Sequence, residues 1–168
     1  MDIILERISA NRKHVLANLF EKYQYDFSKF SLVDVDEDGL YGFPDLDRYF
    51  NSDTNFAFLL RVKDKIAGFV LIDNHSFDSD RNIDFSITEM TLLYKYRQRG
   101  FGRKVLIQLF NMLKGNWQIR YYPGNKASAY FWQNVVREYT ENNYELLEFY
   151  PPARFKNGSA ANIIFFNN

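Results

Sequence analysis

Residues 83–104 constrain this chain more than any other stretch. From Ile83 the apolar residues fall on odd positions, Ile83, Phe85 and Ile87; beyond Glu89 they fall on even ones, Met90 and Leu92. A strand whose apolar set changes parity carries one extra residue, the trace of a β-bulge, here expected at Glu89 and Met90. A strand buried on both faces also loses strict alternation, so parity alone leaves that alternative open. The strand then passes through Arg97-Gln98-Arg99-Gly100-Phe101-Gly102-Arg103-Lys104 into a helix reaching about Leu113. Val105, Leu106, Leu109, Phe110 and Leu113 form its buried stripe. Amides in a helix's first turn lack internal partners, and the dipole adds about half a positive charge there. Glycines at 100 and 102 let the backbone approach an anion, with Arg97, Arg99, Arg103 and Lys104 around the same turn. A pyrophosphate is the natural guest of such a unit.

Around this unit the chain reads as alternating strands and helices. Residues 3–8 read as a first strand, and Asn11 caps a helix to about Tyr23 with Val15, Leu16, Leu19 and Phe20 on one face. Residues 25–43 read as a loop, followed by a short helix from Pro44 to about Phe50. Residues 56–62 and 66–73 make a hairpin through Lys63-Asp64-Lys65, and residues 74–81 are a polar turn. After the central helix come a strand at 117–122, a helix at 126–139, and strands at 144–149 and 162–166 linked by a Pro151-Pro152 loop. No repeat, linker or low-complexity tract interrupts this order, so residues 1–168 are expected to form a single domain with an α/β (α+β mixed) sheet.

Composition removes several function classes. With no cysteine, disulfides, thiolate nucleophiles, iron–sulfur clusters and cysteine-based zinc sites are excluded. His14 and His75 are the only imidazoles, so no metal is expected. Lys+Arg and Asp+Glu both number 21, which argues against a general electrostatic grip on nucleic acid. No run approaches the roughly 18 apolar residues of a membrane span, and the acidic start MDIILERISA lacks a signal-peptide layout; a cytoplasmic protein is expected. Asp34-Val35-Asp36-Glu37-Asp38-Gly39 fits the first half of a calcium loop, but Asp45 stands at the twelfth place behind Pro44. Its other readings are an acidic turn over a substrate cleft or a solvated loop.

The spacing narrows the choice of pyrophosphate ligand without naming it. Val105 replaces the third glycine of a dinucleotide fingerprint, and the G-K-S/T of a Walker loop is absent. What stands is Arg-x-x-Gly-x-Gly, followed later by Asn125-Lys126-Ala127-Ser128-Ala129-Tyr130-Phe131-Trp132. Together these resemble the GNAT superfamily of acyl-CoA N-acetyltransferases, with its R/Q-x-x-G-x-G/A motif and its N-x-x-A-x-x-[FL]-Y helix. Tyr25-Asp26-Phe27, Asp38-Gly39-Leu40-Tyr41 and the Phe131-Trp132 pair resemble a little-characterised bacterial branch of predicted acetyltransferases. The resemblance implies a mostly antiparallel twisted sheet of about seven strands, splayed in a V between two parallel central strands and flanked by about four helices. It implies acetyl-CoA as co-substrate. The backbone of Met90, Thr91 and Leu92 would meet pantetheine, while Arg97 and residues Arg99, Gly100, Phe101, Gly102, Arg103 and Lys104 would hold the pyrophosphate. Asn125 would bond the cofactor arm from the opposite wall, with Phe131 packed nearby.

The expected chemistry is acetyl transfer to a primary amine by direct attack in a ternary complex. Glu89, among apolar neighbours at the bulge, is the candidate general base; a solvent-facing or arginine-paired glutamate is the alternative. The Leu92 amide is the candidate oxyanion donor. Trp132 stands where the superfamily's proton-donating tyrosine is usual, and indole is a poor acid, so Trp132 reads as a packing residue and no acid is named. That departure supports a second reading, an inactive acyl-CoA-binding sensor or assembly module; an unrelated nucleotide-binding domain is a third. Partners expected are a small-molecule or peptide amine and, as an open option, a second copy in a homodimer. Tyr23, Tyr25, Tyr41, Tyr121 and Tyr122 are candidate pocket aromatics, and residues 24–43 and 150–161 are the expected acceptor loops.

Overall fold

The hairpin-forming first half and the helix-linked second half build one sheet in the computed structural model, which describes residues 2–168. Its strands are β1 (Ile3–Arg7), β2 (Phe56–Val62), β3 (Lys65–Asp73), β4 (Phe85–Leu92), β5 (Asn116–Tyr121), β6 (Glu145–Arg154) and β7 (Ala160–Asn167). They lie in the order β1-β2-β3-β4-β5-β7-β6, antiparallel throughout except for the parallel β4–β5 pair. Lys63 and Asp64 take positive φ, 49° and 60°, as a tight turn between right-twisted strands demands. Among the described residues, no helix is long and apolar enough to cross a membrane.

Three α-helices cover the sheet: α1 (Lys13–Ser31), α2 (Phe101–Met112) and α3 (Lys126–Tyr139). Val105, Leu106, Leu109 and Phe110 of α2, with Val135 and Val136 of α3, pack on Val70, Ile72, Ile87, Trp117, Ile119 and Ile164. On the opposite face Leu16, Leu19 and Phe20 of α1 pack on Leu59, Phe69 and Leu71. Burying such side chains is worth about 1.5–3 kcal/mol each, which sets both helix faces against the sheet.

Three expectations about elements need correction. The first helix continues two turns past Tyr23, because Phe27 and Phe30 extend its stripe at spacings of four and three; the supposed loop begins only after Leu32, left-handed at φ 55°. The short helix after Pro44 is a single 3₁₀ turn, Asp47–Tyr49, so the described residues hold three α-helices where about four were expected. β6 runs through Pro151 and Pro152 rather than stopping before them. It is the outermost strand, where a missing N–H is tolerated, and its pairing with β7 is irregular on both sides of Tyr150.

Candidate active site

β4 shapes the cleft. Leu71 pairs with Glu89 while Ile72 pairs with Ile87, so Thr88 is the inserted residue, one position ahead of the expected bulge. The Thr88 hydroxyl donates to the Leu71 carbonyl at 3.2 Å and lies 3.0 Å from the Tyr49 hydroxyl, which in turn accepts from Arg48 at 2.8 Å. These bonds pin the kink. Beyond it β4 loses its parallel partner: pairing with β5 covers only Phe85, Ile87 and Ser86 between them, against Trp117, Ile119 and Gln118. Residues 88–92 therefore edge an open V.

Strand alternation decides which backbone groups face that opening. The Leu93 amide donates to Ala67 on β3 at 2.8 Å, so the Thr91 backbone also faces β3, and the Met90 and Leu92 backbones face the V. Thr91 thus meets the cleft with its side chain, a correction to its expected main-chain role; a Cβ on Gly68 would come within 2.0 Å of its carbonyl oxygen. The Leu92 carbonyl accepts from Arg97 Nε at 2.6 Å. That leaves the Leu92 amide, beside that of Met90, as a donor aimed into the cleft.

At the wide end, the turn before α2 carries Gln98 and Gly100 in left-handed conformations, φ 57° and 74°. Gly100 occupies the N-cap position with no side chain capping the helix, and the first helical bond is from the Lys104 amide to the Gly100 carbonyl at 3.2 Å. The preceding amides are the unpartnered donors of a helix start. Gly102 serves a different end: a Cβ there would lie 3.0 Å from the Phe131 ring, so the glycine admits Phe131 against α2.

The cations of this turn are largely engaged elsewhere. Arg97 pairs with Asp26 at 2.7 Å and lies 4.2 Å from the Tyr94 ring centroid. Arg103 pairs with Glu138, its Nε donating at 2.8 Å, and Lys104 reaches Asp2 at 3.5 Å. What this turn chiefly offers an anion is therefore its main-chain donors.

A cleft of about 920 Å³ runs along these groups. It gathers Glu89, Met90, Thr91, Leu92, Arg97, Gly100, Phe101, Gly102, Arg103, Asn125 and Phe131; Arg99 and Lys104 lie outside its lining. Asn125 caps α3, its Oδ1 accepting from the Ser128 amide at 3.1 Å, and its Nδ2 has no protein partner among the described residues. Trp132 is buried against Phe131, ring centroids 5.1 Å apart, as packing predicts.

Glu89 sits on the α1 side of the V, half-buried and lining the cleft beside Tyr23. Burial pushes its pKa up to about 7, against the downward pull of the Tyr23 hydroxyl and the Arg120 charge. Burial, and then the Glu89 charge, push the Tyr23 hydroxyl well up, so it remains a donor. Burial also acts to raise the Asp26 carboxyl, but the bonds from Arg97 and Tyr94 hold it below its ordinary value. Of Tyr23, Tyr25, Tyr41, Tyr121 and Tyr122, all but Tyr25 line the cleft. The acidic run is not part of it: Asp36 Oδ1 accepts the Asp38 and Leu40 amides at 3.0 and 2.9 Å, closing the turn on itself, and none of its four acids lines the cleft.

Sequence reasoning missed Thr88, Asp26 and Arg120. A charged residue between Ile119 and Tyr121 within the strand Trp117–Tyr121 was the available signal for Arg120.

No protein-family model matches the chain, and no curated relative matches it. Solved structures do. An acetyltransferase from Thermus thermophilus superposes with a TM-score of 0.68 at 11% identity, over 100% of this chain and 98% of that one. The PaiA N-acetyltransferase of Thermoplasma acidophilum in complex with coenzyme A gives 0.63 at 9% identity, covering 100% of both chains. An acetyltransferase of the GNAT family from Streptococcus pneumoniae gives 0.61 at 14%, over 99% of this chain and 100% of that one. The chain has the GNAT fold. The GNAT features that matter for the site, the bulged β4 and the V beside the glycine turn, come from this chain's own register.

Proposed function

We propose that the protein transfers an acetyl group from acetyl-CoA to a primary amine, with both bound together in the cleft. One observation carries this reading: an unpaired strand amide, Leu92, and a half-buried carboxyl whose pKa desolvation pushes up to about 7, Glu89, share one V beside a helix start built from bare amides. Pyrophosphate would lie on the amides around Gly100–Arg103, and the arm along Met90 and Leu92, with Asn125 opposite. Glu89 takes a proton from the ammonium form of the acceptor, the free amine attacks the thioester carbon, and the Leu92 amide stabilises the oxyanion. The thiolate, with an ordinary pKa of about 8.5, departs and is protonated from solvent. Similarity in fold to a protein crystallised with coenzyme A supports the cofactor.

The buried Trp132 favours a second reading, a module that binds acyl-CoA without turnover. Thiol release from acetyl-CoA across a panel of amines separates the two. For the enzyme, Glu89→Gln lowers turnover by about 10²-fold or more while coenzyme A affinity stays within about twofold. Tight cofactor binding with no thiol release from any amine would select the module.

A further inference from the structure

The acceptor end of the cleft is built from elements far apart in the chain. Tyr23, Phe27 and Phe30 of α1 form a continuous run of ring contacts with Tyr122, after β5, and Phe155, in the β6–β7 loop; the Tyr122–Phe155 centroids are 5.3 Å apart. Beside these rings the half-buried Arg120 also lines the cleft. Its guanidinium lies 4.7 Å from the Phe155 ring centroid and 4.5 Å from that of Phe77, and Nη1 donates to the Arg154 carbonyl at 3.2 Å. Its other N–H groups have no acceptor, and no carboxylate reaches salt-bridge distance, among the described residues. Lys156 and Arg154 add positive charge at the rim. The cleft's two acids are spoken for: Asp26 is bound by Arg97 and Tyr94, and Glu89 is the base.

We infer that the acceptor is an amine with an apolar body and an anionic group near its amino group, the anion on Arg120 and the body on the Phe27, Tyr122 and Phe155 rings. This rests on the acetyl-transfer reading and names its substrate class. A planar guanidinium with free in-plane donors matches carboxylate or phosphate, and stacked rings hold it in orientation. During transfer the nitrogen–carbon bond forms as the carbon–sulfur bond breaks, Glu89 takes the nitrogen's proton, the sulfur keeps the electron pair, and the anion is unchanged.

Matched acceptors test this in a thiol-release assay: phenylalanine, its aminophosphonate analogue, phenylalaninamide and spermidine. The two anionic amines should exceed phenylalaninamide in kcat/KM by about tenfold or more, the better of them identifying the anion. Arg120→Gln should abolish that preference through KM, Arg120→Lys should restore part of it, and Lys156→Glu, at an exposed site, should weaken it several-fold. A preference for phenylalaninamide or spermidine, or an equal loss on all amines in Arg120→Gln, would overturn the inference and leave acetyl transfer standing. Calorimetry of N-acetylphenylalanine and its amide on the coenzyme A-loaded protein separates the two claims. Anion-dependent binding without turnover would keep the ligand class and remove the reaction; binding that ignores the anion would remove the ligand class.

Discussion

The two ends of the cleft are made of different material. On the acetyl-transfer reading proposed above, the groups that would recognise the cofactor are main-chain amides, from Leu92 and the turn at Gly100, while Arg97 and Arg103 are tied to Asp26 and Glu138. At the acceptor end they are side chains: Glu89 from β4, Tyr23 and Phe27 from α1, Arg120 from β5, Phe155 from the last loop. A backbone cradle needs only a glycine-bearing turn and a broken strand pairing, and many sequences satisfy it. A side-chain pocket is rewritten by single substitutions. The proposed reading therefore makes cofactor and acceptor recognition separable within one V.

Acidity gives the largest test of that separation. At saturating acceptor, turnover should fall about tenfold per pH unit below 7, so about a hundredfold by pH 5, while coenzyme A affinity changes little; stopped-flow thiol release and calorimetry read the two arms. The same carboxyl affects stability. Its folded value lies above the ordinary 4.5, so its contribution favours the native state fully below 4.5 and is lost as pH rises through about 7. Thermal melts should therefore show Glu89→Gln gaining on the natural protein between pH 5 and pH 8. A pH-independent difference would place Glu89 in solvent.

A substitution at the other end should show the reverse pattern. Gly100→Val forces a branched side chain into φ 74°, which costs about 1–2 kcal/mol and swings the first-turn amides. Coenzyme A affinity should drop about tenfold by calorimetry, with acceptor KM unmoved. The mildest test concerns the engaged cations. Glu138→Ala releases Arg103 to the cleft, and coenzyme A should bind about twofold tighter at low salt, the gain vanishing at high salt. No gain would mean that main-chain donors already satisfy the anion.

The cofactor end is legible in the sequence because backbone chemistry leaves local signs. A parity change marks the bulge to within one residue, and two glycines mark the turn. Side-chain engagement leaves none: nothing near Arg97 announces that Asp26, 71 residues earlier, holds it. The acceptor end is mostly hidden for the same reason. Phe27 and Phe30 read as loop because the acidic run just beyond them masks a helix that continues through both. Arg120 comes to line the same cleft as Glu89 only because β5 lies parallel to β4, a long-range pairing with no local trace.

The prolines at the rim of the sheet have a consequence for how copies of this chain meet. With 21 positive and 21 negative side chains, no long-range repulsion keeps molecules apart near neutral pH. An outermost β6 with Pro151 and Pro152 presents an interrupted row of N–H groups, and its bends around Tyr150 tilt it out of a straight ribbon. A second sheet adding along this margin would find no continuous row of donors, an obstacle set by covalent geometry where charge sets none.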